Sequence, residues 1–129
     1  MHEKRNEYFV DTITCPNEVI ISRTDEKGNI IFANEAFAKI SGYLVEELIG
    51  KPHNIVRHPD MPSSFFKELW STLKKKGKWS GCIKNLRKDG SEYWVFTEIK
   101  KISTPNNDEN IEYESKITSY ESKRTLLKF

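Results

Sequence analysis

Cysteine is scarce in this chain. Its two cysteines among 129 residues, Cys15 and Cys82, form no CxxC and hold no metal-type spacing to the three histidines. A disulfide framework is thereby excluded, and such usage suits a reducing cytoplasm. No apolar run approaches the ~20 residues that a membrane span needs, and no signal peptide is recognisable. An excess of one charge is missing too: 21 Lys and Arg against 19 Asp and Glu leave a net charge of +2. With no basic stripe interleaved with aromatics, a dedicated nucleic-acid binder is excluded. Lys74-Lys75-Lys76 is better explained as the last turn of a helix. There is no nucleophile elbow, nucleotide loop or His/carboxylate metal set, so no enzyme is expected. Length predicts one domain with a single core, large enough to enclose a cavity.

What is present reads as alternating strands and helices. "EVIISRTD" at 18–25 and "IIFAN" at 30–34 are β-branched runs around the turn "EKGN" and predict a hairpin. "EAFAKISGY" turns helical with Ala36, Phe37 and Ile40 on one face and Gly42 as its C-terminal cap, and "LVEELIG" is a second short helix ending in Gly. The longest helix is "PSSFFKELWSTLKKKG". Phe65, Phe66, Leu69, Trp70 and Leu73 make one apolar stripe, Pro62 sits in the first turn, and Gly77 closes the last. "KWSGCIKNLRK" and "EYWVFTEIKKI" then form a long hairpin around Asp89-Gly90-Ser91. "STPNNDEN" at 103–110 reads as a polar turn and "IEYESKITSYESKR" as a last strand, while "TLLKF" is too short to assign. The order predicts an α+β domain with an antiparallel sheet and helices grouped on one side.

Between the second short helix and the long one stands "NIVRHPDMP". Arg57, His58 and Asp60 fall within four positions, framed by Pro52, Pro59 and Pro62. A stiff loop this charged suggests a preset binding element, since proline lowers the entropy of fixing it. Taken alone, Arg57 and His58 also fit a solvated turn.

Three blocks carry a family resemblance: "FANEAF…SGY…EELIGKP", "HNIVRHPDMP" and "KWSGCIKNLRKDGSEYWV". From about Val19 to Thr97 the chain resembles a PAS domain, and more narrowly the FAD-binding redox sensor of bacterial aerotaxis receptors. The resemblance implies a five-stranded antiparallel sheet with short helices packed on one face and a cofactor between them. It divides the chain into an N-terminal cap segment 1–16, a sensor domain 17–124 and a tail 125–129. It also selects a three-residue hairpin loop with Gly90 as the bulge over a two-residue loop at Asp89-Gly90. In that register Ile83 and Asn85 share a face with Tyr93, Val95 and Thr97.

The implied cofactor is FAD, bound non-covalently. In the family the Arg-His-x-Asp segment holds it. Arg57 suits phosphate oxygens and His58 can stack or donate, while Asp60 either orders Arg57 or caps the helix. Asn85 would bond the edge of the flavin ring from an otherwise apolar face; its alternative is a neighbouring backbone group. Trp70 and Trp79 are wall residues or plain core tryptophans, and Asn34 either faces the pocket or caps the helix that follows it. Trp94 and Phe96 would lie on the far side of the sheet beside Cys82 and Leu86, covered by Tyr8, Phe9 and Ile13 or by a second copy in a homodimer. His53 stands where light-sensing LOV relatives carry their reactive cysteine, so cysteinyl-flavin chemistry is not expected. A haem held by His53 or His58 stays as one alternative, another small-molecule sensor as a second, and a cofactor-free dimerisation or scaffold module as a third. The expected role is a cytoplasmic sensor that reports redox or oxygen state to a chemoreceptor or similar signalling partner.

Overall fold

The computed structural model describes residues 7–10, 13–14, 18–104, 107–121 and 125–128, with side chains at 18–102 and 111–121. The first hairpin forms as the sequence predicts, from β3 (Ile20–Thr24) and β4 (Ile30–Ala33). It follows two short strands, β1 (Glu7–Val10) and β2 (Ile13–Thr14). Asp25 builds the turn by accepting from the backbone N–H groups of Lys27 and Asn29, both at 2.9 Å, and Gly28 supplies a φ of +86°.

Asn34 caps α1 (Glu35–Ser41), accepting from the Phe37 N–H at 3.0 Å, and Gly42 ends that helix in the left-handed region. Next come α2 (Val45–Leu48), a short 3-10 turn at His53–Val56, and α3 (Ser63–Lys76). Pro62 stands at the N-cap of α3 rather than inside its first turn, and Gly77 closes it at φ +75°.

Three long strands complete the sheet: β5 (Lys78–Leu86), β6 (Glu92–Thr104) and β7 (Asn107–Glu121). The spatial order β4-β3-β7-β6-β5 is antiparallel throughout, with β2 paired to the end of β7. β4 and β5 are therefore opposite edges of the sheet. The chain between them must cross one whole face, which is why all the helices lie on that side. Beneath them, buried Phe37, Leu48, Val56, Leu69 and Leu73 meet Ile20, Ile83, Val95 and Ile117 from the sheet.

The β5–β6 register pairs Ile83 with Val95 and Asn85 with Tyr93, and puts Cys82 opposite Phe96 on the other face. Arg87 N–H to Ser91 carbonyl, 2.7 Å, encloses a three-residue loop in which Gly90 has φ +89°. The expected bulge is thus present. One expectation changes. The stretch 103–110 is mostly strand, because the β6–β7 ladder runs on through Ser103–Ile111 to Thr104–Asn107. The tail, too short to assign from sequence, forms β8 (Thr125–Lys128), which pairs antiparallel with β1. The side chains of Tyr8, Phe9 and Ile13, and Cys15 altogether, lie outside the described residues. Among the described residues, no helix is long and apolar enough to cross a membrane.

Candidate functional site

Crossing the sheet leaves a cavity of about 280 Å³ between helices and strands. Its floor alternates apolar and small polar side chains: Ser22 and Thr24 from β3, Ile83 and Asn85 from β5, Val95, Thr97 and Ile99 from β6, and Tyr113, Ser115 and Ile117 from β7. Its roof is Phe37, His53, Val56, Phe66, Leu69, Trp70 and Leu73. Lys27, Gly28, Pro52, Asn54 and Arg57 form the rim.

Most of the polar lining is internally satisfied. Ser22 Oγ lies 3.0 Å from His53 Nε2, and Thr97 Oγ1 lies 2.7 Å from Ser115 Oγ. His53 packs edge-on against Phe37, and burial pushes its pKa below the ordinary histidine value, so the imidazole is neutral at pH 7. Asn85 and Thr24, 5% and 6% exposed, line the cavity without a strong hydrogen bond to another described residue. Asn85 neighbours the Tyr93 hydroxyl and, through a weak hydrogen bond, offsets part of the rise in its pKa; that hydroxyl is buried and closes no bond of good geometry. The Asn85 amide itself opens on the cavity floor, where a ligand can meet it.

The charged loop has a different geometry from the one the sequence suggests. β5 is an edge strand, and the loop closes that edge. Arg57 bridges to Asn85 through the backbone, and the His58 N–H reaches the Lys84 carbonyl at 3.4 Å. Arg57 faces the cavity, but its guanidinium is engaged: Nη2 donates to the Met61 carbonyl at 2.8 Å, and the group sits 4.5 Å over the Phe66 ring.

His58 does not line the cavity. Its Nδ1 accepts from the Asp60 N–H at 3.0 Å, leaving Nε2–H to donate to Glu92 Oε2 at 2.7 Å. Asp60 neither orders Arg57 nor caps α3; it lies 3.3 Å from Lys84 Nζ, which also meets Glu92 at 3.2 Å. His58, Asp60 and Glu92 could together face a cation, but the Lys84 ammonium already bridges the two carboxylates. By strand alternation Lys84 and Glu92 belong to the outer face, so the loop straddles the sheet edge.

The other candidates divide in the same way. Trp70 lines the cavity and packs edge-to-face with Tyr113 at 5.1 Å. Trp79 does not line it; it packs at 90° against Phe65. Asn34 is used up as a cap and a strap, accepting from the Ile21 N–H and donating to the Val19 carbonyl. Cys82 is free and exposed on the outer face, away from the cavity. The sequence reading missed Ser22, Thr24 and Ser115, and placed Thr97 on the inner face without naming it as a site residue. Their signal was a small polar residue at an inward position of an otherwise apolar strand.

A cavity-facing amide that both donates and accepts, in an apolar slot roofed by aromatic rings, fits the edge and faces of a fused heterocycle such as the implied flavin. The volume fits the ring system alone, since it lies just under the ~300–1,000 Å³ of pockets that enclose a drug-sized ligand.

Comparison with known proteins agrees with this architecture. The family described as the PAS fold matches residues 30–113. The aerotaxis receptor of Escherichia coli K12 is 48% identical over 85 residues, which are 66% of this chain and 17% of the receptor. A nitrogen fixation regulatory protein of Klebsiella oxytoca is 33% identical over 90 residues, 70% of this chain and 18% of the regulator. The chain thus spans under a fifth of either relative. Among solved structures, the PAS domain of a protein from Colwellia psychrerythraea superposes with a TM-score of 0.68 at 30% identity, covering 76% of this chain and 83% of that one.

Proposed function

The chain belongs to the PAS family, and from that premise we propose that it is a sensory module, not an enzyme, holding FAD non-covalently. It would report redox or oxygen state to a chemoreceptor or similar signalling protein in the cytoplasm. Residues 17–124 are the sensor, with 1–16 as a cap. The observation that carries the cofactor reading is Asn85, a 5%-exposed amide whose donor and acceptor open on the floor of a ring-sized cavity. When bound, the flavin supplies reversible electron transfer coupled to proton uptake at ring nitrogens.

The chain's own residues then have distinct tasks. Asn85 offers a donor and an acceptor whose arrangement can follow a change of protonation at the ring edge. Phe37, Leu69 and Leu73, all buried, exclude water. His53, neutral and tied to Ser22, lines the cavity without adding a charge to it. Arg57 holds the loop against β5 and Phe66, fixing the rim. Because Arg57 and Asn85 share a backbone bridge, a reorientation at Asn85 is passed to the edge of the sheet. The outer face beyond it bears Trp94 and Phe96, 40% and 37% exposed, where a partner could read the change.

The rival readings account for less. A haem would need a free imidazole nitrogen in the cavity; both ring nitrogens of His58 are engaged outside it, and His53 Nε2 is tied to Ser22. A scaffold without cofactor gives no use to a ring-sized cavity with an amide on its floor. The Ser22–His53 pair has no carboxylate behind its imidazole among the described residues, which disfavours hydrolysis. The test is the absorbance spectrum of the purified protein, before and after incubation with FAD. A flavin spectrum that bleaches on chemical reduction and recovers in air is expected. A Soret band, or no retained flavin after desalting, would overturn the reading.

A further inference from the structure

The cavity fits a fused ring but not a dinucleotide, so the rest of FAD must lie outside it. Arg57, the cation on the rim nearest β5, is committed to Met61 and Phe66. A second hollow of about 350 Å³ abuts the first and shares Lys27 and Tyr113 with it. Lys74, Lys101, Glu26 and Ile111 complete its wall.

Three elements bring these lysines together. Lys27 comes from the β3–β4 turn. Lys74 is in the last turn of α3. Lys101 pairs with Tyr113 across β6 and β7, and by alternation from Val95, Thr97 and Ile99 it takes an inward position. The Lys101 N–H donates to the Gly77 carbonyl at 2.8 Å, fixing the end of α3 beside the strand. None of the three lysines forms an ion pair with a described residue. Against them stand Glu26, Asp25, which Lys27 faces from the same turn, and the negative end of the α3 dipole, roughly half a charge. Three cations against about two and a half opposing charges leave the groove positive by a narrow margin.

We propose that this groove is the subsite for the diphosphate tail of the dinucleotide, and that it makes the domain select FAD over flavins without that tail. The inference rests on the flavin reading above. Lysines suit it as point charges toward phosphate where no planar fork is needed. The buried ring of Tyr113 lines both hollows and packs at 85° against Trp70.

The test compares FAD and riboflavin binding by fluorescence titration in the parent and in a Lys74→Gln/Lys101→Gln variant, with melting curves to confirm folding. Both lysines are exposed and neither lines the ring cavity. FAD should bind the parent more tightly than riboflavin does. The variant should lose roughly tenfold for FAD while riboflavin stays within about twofold. Equal affinities of the two ligands in the parent, an unchanged FAD affinity in the variant, or equal losses for both ligands would each overturn the subsite and leave the flavin reading standing. A parent that binds neither ligand would overturn both.

Discussion

Replacing Asn85 by leucine should make the protein without cofactor more stable. The two side chains have nearly the same shape, so the substitution removes polarity without opening a cavity. At 5% exposure, and with only a weak contact to Tyr93, the amide carries part of the ~1–3 kcal/mol desolvation cost of an unsatisfied group, which leucine does not. One interaction is lost in exchange: the Tyr93 hydroxyl, whose pKa burial pushes up to about 12, loses the neighbouring amide. That hydroxyl has no hydrogen bond of good geometry in the parent, so the loss is the smaller effect. The bridge from Arg57 runs through backbone and survives. The net gain is ~1–2 kcal/mol, and for a domain of this size about 4 °C per kcal/mol gives ~4–8 °C in Tm. Scanning calorimetry of both proteins stripped of cofactor measures it directly. The same scans with saturating FAD should show a smaller ligand-induced rise in the variant, because the amide that gains a partner on binding is gone. A cofactor-free Asn85→Leu protein that melts several degrees below its parent would show the amide to be satisfied within the protein, and the reasoning would fail.

Other outcomes follow from the same geometry. Arg57→Ala should cost ~2–4 kcal/mol in urea denaturation, summing a charge-assisted bond to Met61 of ~1.5–3 and stacking on Phe66 of ~0.5–1, and should reduce retained FAD as well. Lys84, and after it His58, holds the Glu92 carboxyl below its usual 4.5. A lowered carboxylate pKa contributes stability above about 4.5 that disappears as pH falls through the folded value, so the parent should lose stability more steeply on acidification than Glu92→Gln; parallel curves of Tm against pH would contradict this. Gly28→Ala places a side chain at φ +86° with its Cβ 3.5 Å from Trp70, so backbone strain rather than crowding should cost ~1–2 kcal/mol, readable as a lower urea midpoint.

Much of this architecture is written locally in the sequence. Asn34, Gly42 and Gly77 cap their helices because each satisfies end groups that no distant residue could reach. The inward set of β5 and β6 follows from alternation once the register is known. Alternation could not choose between a two- and a three-residue loop, and the resemblance made that choice. The roles of His58 and Asp60 were not legible, for a physical reason. Periodicity assigns faces within an element, whereas these residues sit in a loop that folds around a sheet edge, and Glu92 and Lys84 are far away in sequence. Thr104 and Asn107 were illegible for a related reason. Polar strand residues resemble turn residues until a partner ladder shows them paired.

Each polar side chain of the proline-framed loop would be costly to bury without its neighbours. His58 is 8% exposed, and burial at that level is tolerable only because both ring nitrogens are bonded. The Arg57 guanidinium shares its burial with a carbonyl and an aromatic face. Neither arrangement survives a loop that wanders, because the bonds from Asp60 N–H to His58 and from Arg57 to Met61 span only a few residues, and the bond from His58 to Glu92 needs the loop held against the β5–β6 hairpin. Stiffness is therefore a condition of burying these side chains. What the loop holds first is the open edge of β5, at the strand position occupied by Asn85. A ligand contact at that asparagine and the ion-pair knot on the outer face are thus neighbours on one strand, joined by backbone rather than by a chain of side chains. Loosening the knot should disturb the cavity floor even though none of its charged groups reaches inside.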